Sequence, residues 1–142
     1  MTSLRHYIDL VESAGQAVPA WFAQGRPVTH DDLDRMDAAE FIEGDEWDHE
    51  WRLCDVPLDL LPGFSASHDF DTPDEVERFD DIRQWFAGSG IETALTERPL
   101  VLLYTSAGTI KMLDGFHRAH IAREYGATTV KAVVGLGDSA DV

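Results

Sequence analysis

A chain of 142 residues, 44% apolar and 10% aromatic, is long enough for one domain with a substantial core. Its 27 acidic residues against 11 Lys and Arg give a net charge of −16, which excludes non-specific binding to DNA, RNA or anionic membranes, because neutralising phosphates takes cationic side chains. One cysteine excludes a disulfide framework and a Cys-based zinc site, and no apolar run is long enough to span a membrane. No basic start followed by an apolar run marks a signal peptide, so a cytoplasmic location is expected.

The first element expected is an amphipathic helix over residues 3–14, with Leu4, Tyr7, Ile8 and Val11 on one stripe, Ser3 as cap and Gly15 as stop. Residues 16–28, with Pro19, Gly25 and Pro27, read as irregular, anchored by Trp21 and Phe22. Thr29 caps a second expected helix running to Ile42, with Asp31, Asp32 and Asp34 near its positive end and Gly44 after it. Between Asp31 and Glu50 lie ten carboxylates and one cation, Arg35. Charge this dense faces water, or docks a basic protein partner through residues 31–50.

Residues 51–61 read as a strand, with Pro57 marking an edge strand or the strand's end. Cys54 within it reads as a buried structural thiol. After a loop at 62–71 comes a strong helix start, with Thr72 as cap, Pro73 in the first position and Glu75 closing a capping box. Val76, Phe79, Ile82 and Phe86 form its stripe, and Gly88 and Gly90 end it. Two strands follow, 100–104 and 109–113, joined by a hairpin loop that holds Ser106. A helix at 116–125 buries Ala119, Ala122 and Tyr125, with Ile121 at its side, and Gly126 stops it. Residues 128–134 form a β-branched last strand, and the tail from Gly135 to Val142 has little to pack.

The chemical signal concentrates at Asp114-Gly115-Phe116-His117-Arg118, a strand end, a glycine turn and a helix opening on a His-Arg pair. A helix start presents backbone N–H groups and a positive dipole end to an anion. Two plainer readings stand beside this one: Gly115 as a turn residue only, and Arg118 paired with a carboxylate. His117 and His120 share a helix face without a third ligand close in sequence, so no metal site is expected. His68-Asp69 reads as a loop hydrogen bond rather than a dyad, and nothing singles out Ser106 as a nucleophile.

The unit strand–Asp114-Gly115-x-His117-Arg118–helix–Gly126–strand resembles the ParB/sulfiredoxin-like superfamily, and its spelling is nearest to the free-serine-kinase branch. The preceding order also fits: an entry strand ending in Val56-Pro57-Leu58-Asp59-Leu60-Leu61, a capped helix, then the hairpin. The resemblance covers about residues 50–135. It implies an α+β fold, a small mixed sheet with packed helices at 49–142, carrying a helical N-terminal extension at 1–48 packed on the core. It also implies a phosphate or nucleotide cradle made by Gly115, Phe116, His117 and Arg118, with ATP or ADP and Mg²⁺ as the expected cofactor. Arg118, His117 and Asp114 are then the candidate catalytic residues, Asp114 as a helix cap or a holder of the metal ion on the nucleotide. The branch also needs a carboxylate near the entry strand, for which Glu50, Asp55 and Asp59 are candidates by position. Sulfiredoxin chemistry is not expected, because Phe116 stands in the turn where that enzyme has its cysteine. The expected function is nucleotide-dependent phosphoryl transfer or NTP hydrolysis at this site. The alternative is a non-catalytic acidic interaction module, a format that suits a phage or mobile-element accessory protein.

Overall fold

The computed structural model describes residues 19–105 and 108–137. The helix expected over 3–14, Ser106 and residues 138–142 of the tail lie outside them. The architecture is α+β, built on one five-stranded mixed sheet. Its strands are β1 (Arg26–Pro27), β2 (Trp51–Pro57), β3 (Leu100–Thr105), β4 (Ile110–Asp114) and β5 (Thr129–Gly137), in the order β1-β2-β5-β3-β4. β5 runs antiparallel to β2 and parallel to β3, so the last described strand fills the centre of the sheet.

β3 and β5 are buried on both faces, and their alternating side chains split the core in two. Leu100, Leu102 and Tyr104 of β3 join Val130, Ala132, Val134 and Leu136 of β5 on one face. That face is covered by three helices, α3 (Pro73–Ser89), α4 (Ile91–Glu97) and α5 (Phe116–Glu124). Val101, Leu103 and Val133 point to the other face, where Leu33, Ala38 and Ile42 cover them. Residues 28–47 therefore form a second layer over the sheet, and β1 extends its edge. Where β5 passes Trp51, Gly135 leaves room for the indole, since a Cβ there would stand 2.7 Å from the ring.

Several expected elements change in detail. Residues 20–23 form a short helix, α1, within the segment read as irregular, and Phe22 is fully buried. The helix capped by Thr29 ends at Arg35 rather than Ile42, giving α2 (His30–Arg35). Asp37 turns to φ 57, and the Ala38 N–H bonds back to the Leu33 carbonyl, a Schellman-type stop without glycine. Two 3₁₀ turns, Ala39–Phe41 and Gly44–Asp48, complete the layer. β2 stops at Pro57, followed by a 3₁₀ turn at Leu58–Leu60. α4 occupies a stretch with no sequence expectation. Val76 is exposed, so the buried stripe of α3 rests on Phe79 and Phe86. Ile121 is fully buried while Tyr125 is 44% exposed, and the Tyr125 hydroxyl donates to the Arg83 carbonyl at 3.1 Å. Gly135 to Gly137 are paired in β5, not frayed.

Candidate functional site

The site grows from the turn between β4 and α5. Gly115 has φ 126, and a Cβ there would collide with the Leu100 side chain beneath it. Glycine is thus required twice over, by conformation and by contact. No side chain caps α5, and its first turn holds no acidic residue. Ala119, Ile121 and Ala122 seat the helix on the sheet, fixing the direction of its first turn.

From that turn, His117 and Arg118 take different partners. Arg118 donates to Asp114 Oδ2 at 2.6 Å, to the Pro99 carbonyl at 3.0 Å, and to the Arg98 carbonyl. Its side chain is only 13% exposed. Burial works against its charge, and Asp114 opposes that effect. Of the two plainer readings given above, pairing with a carboxylate is what Arg118 does. Asp114 is not a helix cap, since its carboxylate accepts from Arg118 and Gly115 holds the cap position.

His117 instead meets Glu75. Its Nε2 lies 3.0 Å from both carboxylate oxygens, and His68 Nε2 lies 2.8 Å from Oε2. The hydrogen bonds from His117 and then His68 hold the Glu75 carboxyl below its ordinary range. Thr72 Oγ1 does accept from the Glu75 N–H at 3.3 Å, but the reciprocal arm of the expected capping box is missing because the carboxylate is turned to the histidines. The His68 ring stacks on Phe64 at 4.2 Å and 19°. Phe64 also meets the rings of Phe116 and His117, at 5.6 and 5.0 Å. Asp69 accepts from the Asp71 N–H, so the pair His68-Asp69 makes no dyad. His120 stacks on Phe70 at 5.2 Å, and burial pulls its pKa down.

A cleft of about 360 Å³ opens in front of Gly115, His117 and Arg118. Arg78 and Arg98 stand on its rim, and Asp37, Glu40 and Asp81 supply negative charge. Arg98 is paired with Asp37 at 2.8 Å. None of the entry-strand carboxylates lines this cleft. Asp55 pairs with Lys131 at 2.7 Å, Glu50 approaches Arg52 at 4.0 Å, and Asp59 is exposed. Cys54 is buried, and desolvation pushes its thiol up to about 12, which removes it as a nucleophile.

Sequence reasoning missed His68 and Glu75 as partners of His117, and Arg78 and Arg98 on the cleft rim. Glu75 sat where a capping box explains a glutamate fully, and nothing local connects position 75 to position 117. Among the described residues no helix is long and apolar enough to cross a membrane. Comparison with family models, curated proteins and solved structures returned no match.

Proposed function

We propose that the cleft before α5 binds a phosphorylated small molecule, with a nucleotide as the first candidate, in a domain of the ParB/sulfiredoxin-like type. The observation that carries this reading is the uncapped start of α5, set on Gly115 and opening on a cleft rimmed by Arg78 and Arg98. The amides of residues 116–118 and the two rim arginines supply the donors for phosphate oxygens. Asp37, Glu40 and Asp81 on the same cleft suit the Mg²⁺ of ATP or ADP. Arg118 and Asp114 serve as the frame that holds the turn, and His117 borders the ligand. In the catalytic form, transfer or hydrolysis of a terminal phosphoryl group, amides and rim arginines meet charge as it develops. The strand–turn–helix–strand order around Asp114-Gly115-x-His117-Arg118 supports the family reading. Calorimetric titration with ATP, ADP and CTP, with and without Mg²⁺, tests it. Binding that weakens in Arg78→Ala is expected, and no heat at millimolar nucleotide overturns it.

A second reading, an acidic surface for a basic protein partner, is favoured by the exposure of Asp31, Asp34, Glu40 and Glu43. Asp32 and Glu46 of the same segment are spent on capping boxes. Such a complex dissolves in high salt and on neutralising Asp31 and Asp34. Salt-insensitive association counts against it.

A further inference from the structure

His68, Glu75 and His117 come from three separate places, the 62–71 loop, the first turn of α3 and the first turn of α5. One ligand atom from each lies within 4.8 Å of the other two. Both histidines present Nε2 to the same carboxylate, at 2.8 and 3.0 Å. Neighbouring ligands around an ion at about 2.0–2.1 Å stand roughly 3.0–3.4 Å apart, so the two histidine–carboxylate contacts need only a small opening. His117 Nε2 is equidistant from both carboxylate oxygens, at 3.0 Å.

We propose that His68 Nε2, Glu75 and His117 Nε2 form a binding site for one divalent transition-metal ion of the zinc class. Two imidazoles and one carboxylate match that class, whereas Mg²⁺ and Ca²⁺ prefer all-oxygen sets. The rings are already held: Phe64 stacks on His68 and packs edge-on against His117, and Phe79 lies 5.1 Å from His117. An aromatic surround of this kind crowds the rings and limits the access of water to the site. The three side chains keep 25%, 19% and 18% of their exposure, so one side of the ion meets water. Three protein ligands with an open position is the arrangement of a reactive zinc rather than a structural one. His117 also borders the cleft, which puts the ion at its edge. The site is independent of the nucleotide reading, since none of its members needs a phosphate to be present.

The test uses the untagged full chain, stripped with a chelator and titrated with ZnCl₂ by calorimetry at neutral pH. One ion per chain is expected, and Co²⁺ in its place should give visible absorption bands of a low-coordinate site. His68→Ala and His117→Ala should each weaken binding by about 100-fold or more, because losing a direct ligand costs at least as much as losing its support. His120→Ala, on the same helix but outside the cluster, should leave it unchanged. Circular dichroism checks the fold of each variant, and His68→Gln, in a loop, decides the matter if His117→Ala fails to fold. Absence of zinc uptake, or uptake that survives His68→Gln, overturns the proposal and leaves the cluster as a hydrogen-bonded knot.

Discussion

The two sides of the first turn of α5 use the same backbone for different ends. On one side Arg118 is enclosed, with Asp114 and the carbonyls of Arg98 and Pro99 as its partners. On the other, His117 and its partners Glu75 and His68 stay part-exposed within a ring of aromatics. The charge that looked most like a ligand clamp is the one tied into the fold. The imidazole beside it keeps ligand-like company. A cationic side chain at a helix start thus reads as a site only once its own partners are known, because a buried guanidinium needs acceptors wherever it lies.

The largest effect should come from the pivot both sides share. Gly115→Ala forces a strained φ and drives a Cβ into Leu100, so a loss of about 3–4 kcal/mol is expected in urea denaturation. Arg118→Ala should follow, at about 2–3 kcal/mol, because it strands Asp114 and leaves two carbonyls without their donor. A stability change below about 1 kcal/mol would mean that Arg118 is no latch and the contrast fails. Arg118→Lys should not restore stability, since an ammonium cannot span the carboxylate and the carbonyls at once. On the other side, His68→Ala should cost less than about 1 kcal/mol without metal, since its ring is part-exposed and its one polar partner stays bonded to His117.

The smallest effect concerns the far end of α5. Arg83 grips Glu124 through two bonds, at 2.7 and 2.8 Å, and these hold the Glu124 carboxyl below its ordinary value of 4.5. A lowered folded-state pKa stabilises above the ordinary value, and that contribution is lost as pH falls through the lowered one. Glu124→Gln should therefore reduce the drop in urea midpoint between neutral pH and pH values below 4.5. An unchanged drop would place the acid sensitivity elsewhere.

Much of this layout is legible in the sequence where periodicity is strong. The apolar run from Leu100 to Tyr104, the β-branched run after Thr128 and the Thr72-Pro73 helix start lead to real elements. What fails is what depends on long-range partners. Asp37 ends α2 with a positive φ that favours glycine, so no local signal marks the stop. α4 has only seven residues, too few for a period to show. Tyr125 looks like core by spacing, yet α5 ends there and the ring lies against Phe86 with its hydroxyl at the surface. Glu75 shows the same limit at the site: its local reading was sufficient, and its role depends on a histidine 42 positions away.

The position of β5 bears on how the chain is made. During synthesis β2 and the β3–β4 hairpin emerge first, and β2 pairs with the hairpin sheet only through a strand that leaves the ribosome after them. Until Thr129–Gly137 arrives, β2 and β3 each present an edge of unpaired N–H and C=O groups. A chain stopped before residue 129 is therefore aggregation-prone rather than partly finished.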